Sequence, residues 1–270
     1  MRRQKERIFN LPPVILWIVV LLVAIEGLSQ LVAPETYLDI IQNFAFVPGR
    51  FTFAFDPAPV TAAFNAIPAD AEFRAQEAAF FLGNGKPLWW TPLTYAFLHG
   101  GWFHVGLNCL WFVAFGSPVA RRFGAPRFLF FCVVAALAGA AMHYVTHIAD
   151  LQPVVGASAT VSGVMAAAVR FVFQPGAPLD ESLGFGPRAN EDHAYRQPAL
   201  PLRDVFSNRS AISFLGFWFL ANFFFGTIPM PLGGVNATIA WQAHIGGFLI
   251  GLLAFRWFDP PVPSPMRAPT

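Results

Sequence analysis

The sequence predicts an all-α membrane protein, a bundle of six transmembrane helices with a long, partly membrane-embedded first loop. Three observations carry that expectation. Of 270 residues, 56% are hydrophobic and only 12% charged, whereas a soluble domain carries about 25% charged residues. Six stretches approach the ~20 apolar residues that a spanning helix needs, at about 13–33, 102–120, 127–148, 154–174, 210–228 and 239–258. The basic residues between them are strongly one-sided.

The first stretch follows Arg2, Arg3, Lys5 and Arg7 and contains VILWIVVLLVAI. A cleavable signal peptide has the same basic start and apolar run, but a retained helix is long enough to span and keeps the charge bias consistent. Residues 34–101 are too long for a simple connector. They carry FAFVPGRFTFAF and GKPLWWTPLTYAFLHGG, aromatic enough to lie in the membrane interface. Arg121, Arg122 and Arg127 separate the second and third stretches. The fourth, rich in Gly, Ala and Ser, is the least hydrophobic. A polar, proline-containing loop at 175–209 holds Arg188, Arg196, Arg203 and Arg209, and the uncharged PMPLGGVNATIAW leads into the sixth stretch. With Arg170, Arg256 and Arg267, 14 of the 17 basic residues fall on one face; Arg50, Arg74 and Lys86 fall on the other. Lys and Arg mark the cytoplasmic side. The expected order is a cytoplasmic segment at 1–12, a membrane domain at 13–258 and a cytoplasmic tail at 259–270. A bacterial inner (plasma) membrane fits this pattern, with no transit peptide in view.

A net charge of +2 is too small to indicate nucleic acid. Cys109 and Cys132 both lie in apolar runs and read as buried thiols rather than a disulfide pair. No internal repeat or charged pathway favours a transporter.

Polar side chains at membrane depth are costly and point to function. Asn108 lies 13 residues before Arg121, Ser158 lies 12 before Arg170, and His244 lies 12 before Arg256. At ~1.5 Å per residue, all three sit roughly 18–20 Å above the cytoplasmic boundary, a common plane in the outer half of a ~30 Å core. A hydroxyl, an imidazole and an amide at one level are components of acyl-transfer chemistry. Serine needs a base to take its proton, imidazole suits that task, and an oxyanion needs fixed donors. Ser158 follows Gly156 at a helix start, where backbone N–H groups lack intrahelical partners. Hydrolysis there requires an aqueous cavity open to the outer side. The competing reading is structural: Gly156, Ala159 and Gly163 form a small-residue stripe suited to close helix packing.

At these residues the chain resembles the rhomboid family of intramembrane serine proteases, over about 87–258. TYAFLHGGWFHVGLN is similar to the family's H-x-x-x-N motif, with His104 and Asn108 in its defining positions. GASATVSGVMAA is similar to the G-x-S motif and puts the nucleophile at Ser158; AWQAHIGGFLIG is similar to A-H-x-G-G-x-x-x-G and puts the base at His244. The resemblance implies a six-helix rhomboid-like bundle, a Ser–His dyad without a third carboxylate, and an oxyanion site near Asn108, His104 and the Ser158 backbone N–H. It implies no cofactor or metal, and substrates that are transmembrane proteins. It gives Gly247 and Gly251 the role of letting the sixth helix approach the fourth. It places a lateral gate at ISFLGFWFLANFFFG and a cap at the loop that follows. The chain departs from the family pattern at Ala159 (usually Gly), at Thr91 after Trp90 (usually Arg) and at Ala120 (often Glu).

Other polar residues have simpler readings. Ser162 is one turn deeper than Ser158 and reads as packing or back-bonding. His143 and His147 are spaced i, i+4 near Asp150, a metal-like spacing, with interfacial hydrogen bonding as the default. His99 reads as a loop-ordering group, Glu26 as hydrated or paired near the outer interface, and Asn222 as a bridge between the fifth and second helices. The functional expectation is an intramembrane serine endopeptidase. The alternative is a non-catalytic rhomboid-like protein that binds transmembrane clients, which would not need an intact serine–histidine pair.

Overall fold

The computed structural model describes residues 11–174, 177, 195, 197–227, 230–232, 235–237 and 240–261. The expected basic N-terminal segment, the tail around Arg267, and Arg188 and Arg196 lie outside the described residues. The fold is predominantly helical. Helix α1 is Pro13–Ser29, with proline in its first turn, where the missing N–H costs no hydrogen bond. The first loop is not irregular. It folds into α2 (Pro34–Phe44), α3 (Pro48–Phe55), α4 (Pro57–Asn65), α5 (Glu72–Leu82) and the short α6 (Thr91–Thr94). Prolines open four of these five, and Asp56 caps α4 by accepting from the Ala58 N–H. Ile41, Val47, Val60, Phe81 and Leu98 form their own apolar cluster, joined by Leu151 from the segment that follows α8 in sequence.

Helix α7 (Trp102–Phe123) and α8 (Ala125–Thr146) are 22 residues each, long and apolar enough to cross a membrane. Helix α7 contains a π turn at Phe112–Gly116. Pro118, just beyond, has no N–H to offer the preceding turn, and its ring would crowd the carbonyl four residues back. Widening the helix there relieves both, and the Ser117 hydroxyl donates to the Val113 carbonyl at 2.5 Å.

Helix α9 is Ser158–Val169, 12 residues or ~18 Å long. The expected stretch at 154–174 is therefore only partly helical. Val154 is extended and exchanges two hydrogen bonds with Phe46 (3.1 and 2.8 Å), and Gly156 adopts φ +122°, a value that L side chains rarely reach. The chain then continues through α10 (Leu202–Val205) and α11 (Arg209–Thr227), the hairpin β1 (Met230–Leu232) and β2 (Val235–Ala237), α12 (Trp241–Leu253) and α13 (Phe255–Phe258).

Helix α9 lies at the centre, with every residue from Ala159 to Val169 buried. Helix α12 presses against it where neither has bulk. A Cβ at Gly247 would fall within the Ala159 carbonyl, and one at Gly251 within the Gly163 carbonyl. At one end of the bundle, the Arg170 guanidinium donates to the Leu252 and Leu200 carbonyls, both at 2.8 Å. Arg122 forms a two-point ion pair with Asp259 (2.6 and 2.9 Å) and also donates to the Tyr195 and Gln197 carbonyls.

The surface inverts the pattern of a soluble protein. Trp17, Phe130, Phe217, Phe219 and Phe223 are exposed, whereas Glu26, Asn108, His143, Thr160 and Ser162 are buried. An apolar exterior around polar interior groups is what a lipid environment selects.

Candidate active site

Two helices far apart in sequence meet at one hydrogen bond. Ser158 is the first residue of α9, and its Oγ lies 2.7 Å from His244 Nε2 on α12. A glycine contact beside the pair sets this approach, since Ala159, the next residue after Ser158, and Gly247, one turn beyond His244, touch backbone to backbone. The close packing read from the small-residue stripe is thus present at Ala159 and Gly163, and it brings the serine and the histidine together.

His104, in the first turn of α7, lies on the other side of the serine. Its ring packs so close to Gly156 that a Cβ there would sit 2.8 Å from His104 Nε2 and 3.7 Å from Ser158 Oγ. The Gly100 N–H donates to His104 Nδ1 at 3.3 Å, so the neutral ring carries its hydrogen on Nε2, at the edge against Gly156. His99 packs edge-on against His104 with ring centroids 5.0 Å apart. It accepts from the Ala157 N–H at 3.4 Å, so His99 orders the loop that delivers Ser158. Burial, reinforced by neighbouring His104, pushes the His99 pKa down to about 3. Tyr95 holds the same loop from below, accepting at its carbonyl from the Gly156 N–H (2.9 Å) and donating its hydroxyl to the Ala136 carbonyl (2.9 Å).

Asn108 is buried one turn along α7, but its amide donates to the His104 carbonyl in its own helix at 3.1 Å. Ser162 donates back to the Ser158 carbonyl at 2.8 Å, the back-bonding role that its depth indicates. The His143 and His147 rings stack face to face, 4.6 Å apart and 6° from parallel. Among the described residues, no group of three His, Cys, Asp or Glu side chains is arranged to hold a metal ion. Glu26 is buried and accepts from Gln30 at 2.8 Å, the paired one of its two readings from sequence.

These motif residues sit inside a longer match. The rhomboid-domain family model matches residues 86–189 and 191–258. The chain belongs to the rhomboid family. A search of curated proteins returned no match. As a rhomboid-family membrane protein, the chain holds its serine and histidine motifs on two helices that pack directly together.

One partner at the site was misassigned from sequence. Asn222 does not bridge the fifth and second helices. Its Oδ1 faces Nδ1 of His244, from α11 to α12, while its Nδ2 donates to the Trp218 carbonyl at 2.8 Å. An Asn in the phenylalanine-rich run FLANFFFG was the available signal, but sequence spacing alone does not say which neighbouring helix it faces.

Proposed function

We propose that this rhomboid-family protein is an intramembrane serine endopeptidase acting through a Ser158–His244 dyad. The observation that carries the reading is the 2.7 Å contact between Ser158 Oγ and His244 Nε2. His244 takes the Ser158 proton at Nε2 while Oγ bonds to the scissile carbonyl carbon. The carbonyl electron pair moves to oxygen, giving a tetrahedral oxyanion. Donors for that oxyanion are the N–H groups in the first turn of α9, with His104 beside Gly156 and Asn108 one turn beyond it. Collapse re-forms the carbonyl and breaks the C–N bond, and His244 returns the proton to the departing amine. Water then repeats the sequence on the Ser158 acyl ester, with His244 as base, and frees the carboxylate product.

Substrates in this reading are transmembrane segments of other membrane proteins, cut where they unwind at the outer half of the bilayer. The six apolar stretches all span, both termini are cytoplasmic, and the active site opens to the outer side of a bacterial plasma membrane. The one-sided arginines support that orientation, among them Arg122, ion-paired with Asp259, and Arg170, which donates to backbone carbonyls at the same end.

A fluorophosphonate probe tests the mechanism, because it reacts only with an activated serine. The purified protein is expected to label at Ser158, with labelling lost in Ser158→Ala and His244→Ala and kept in Ser162→Ala. Equal labelling of the parent and the first two variants would sink the dyad and favour a non-catalytic client-binding protein.

A further inference from the structure

The geometry points to Asn222 as the residue that positions the catalytic base, by fixing which nitrogen of His244 carries the proton. The inference rests on the dyad reading and adds a third member to it. Imidazole can act as base toward Ser158 only if Nε2 is unprotonated, so the neutral ring must carry its hydrogen on Nδ1. Asn222 is bonded in a way that decides this. An amide end that meets a carbonyl must be the NH2 end, and the Asn222 amide meets the Trp218 carbonyl at 2.8 Å. Its other end, facing His244 Nδ1, is therefore the acceptor oxygen. An acceptor there requires an Nδ1–H donor, and Nε2 is left with its lone pair toward Ser158 Oγ–H at 2.7 Å. The chain is polarised throughout: Ser158 donates to His244, His244 to Asn222, and Asn222 to Trp218.

Three features make this a built arrangement rather than a chance contact. The Asn222 amide is anchored in its own helix, so its direction does not depend on the histidine. Trp218, the residue that accepts from it, is buried and stacks on Phe248 of α12, with ring centroids 4.2 Å apart. That stack fixes α11 against α12 one turn from the amide. Among the described residues, no carboxylate bonds to His244, so nothing else is seen to orient Nδ1. A neutral amide also sets the tautomer without adding a second charge inside the membrane, where an unpaired carboxylate would be costly.

The test compares Asn222→Leu, which keeps the size but lacks an acceptor, with Asn222→Asp, which keeps the acceptor. Fluorophosphonate labelling is followed at several probe concentrations, separating the maximal rate from the apparent affinity, and Tm is recorded for each protein. Loss of an orienting partner of this kind lowers activity ~10–100-fold. The expected result is that loss in the maximal rate of Asn222→Leu, with unchanged probe affinity and Tm, and recovery of most of the rate in Asn222→Asp. A maximal rate in Asn222→Leu within ~3-fold of the parent overturns the inference. So does an equal loss in both variants with a lowered Tm, which would make Asn222 a packing residue. His244→Ala is labelled in the same series. If it reacts like the parent, the dyad itself fails; if it is inert while Asn222→Leu is normal, only the role of Asn222 fails.

Discussion

Replacing Gly247 by alanine tests whether helix proximity sets the geometry of the site. A Cβ built there would lie 2.7 Å from the carbonyl carbon and 3.2 Å from the Cα of Ala159, and closer still to its oxygen. Nothing in that contact is a flexible side-chain end; all three atoms are backbone. To regain ordinary separation, α12 must retreat from α9 by roughly 1.5 Å. Ser158 precedes Ala159 and His244 precedes Gly247 by one turn, so most of that retreat falls on the 2.7 Å Ser158–His244 bond. Stretched to ~3.5 Å or more, it no longer counts as a hydrogen bond. A misplacement of ~1 Å at reacting groups costs ~10²-fold in rate, and overpacking adds a stability loss of ~1–3 kcal/mol. The assay is the second-order rate of fluorophosphonate labelling, with thermal unfolding in detergent alongside. Gly216→Ala is the control, because nothing lies within 4 Å of a Cβ there, and alanine is favoured over glycine in a helix by ~1 kcal/mol. Labelling of Gly247→Ala within ~3-fold of the parent, equivalent to less than ~0.7 kcal/mol of barrier, together with an unchanged Tm, would refute the reasoning.

Two further outcomes follow from the proposed topology and from the first-loop histidine. A membrane-impermeant maleimide is expected to label Asp70→Cys on intact cells, and Arg203→Cys, whose native side chain is 86% exposed, only after permeabilisation; the reverse pattern would invert the orientation. His99 ordinarily titrates near 6.5 but is held at about 3 in the fold by burial and then by His104, so the unfolded chain binds the extra proton between those values. The His99 contribution to stability is whole above about pH 6.5 and is lost as pH falls toward 3. The Tm should therefore drop through that window, and His99→Gln should flatten the drop; an identical pH slope in the variant would remove His99 as its source.

The membrane class, the helical composition and the closeness of Ser158 to His244 were legible in the sequence, each for a local reason. Hydropathy and charge are sums over a stretch, so they mark spanning segments without knowledge of neighbours. Counting along helices from Arg121, Arg170 and Arg256 works because rise per residue is nearly constant, and that is how Ser158 and His244 could be paired before their 2.7 Å contact was seen. Helix ends were read less well. Residues 154–157 look apolar enough to extend α9, but the strand-like pairing of Val154 with Phe46 claims them for the first loop. The five helices of that loop were not marked out in the sequence, because they are short and their core needs Leu151 from a distant part of the chain.

What only the tertiary structure decided is direction. Sequence spacing puts Asn222, Asn108 and His104 at membrane depth, but depth does not say which way an amide or a ring points. The rotation of each helix about its axis is set by packing: Trp218 against Phe248 turns Asn222 to His244, and the loop held by Tyr95 and His99 brings Ser158 beside His104. Depth follows from the chain's own repeat, whereas facing depends on contacts between distant residues, such as Ser158 and His244, 86 positions apart.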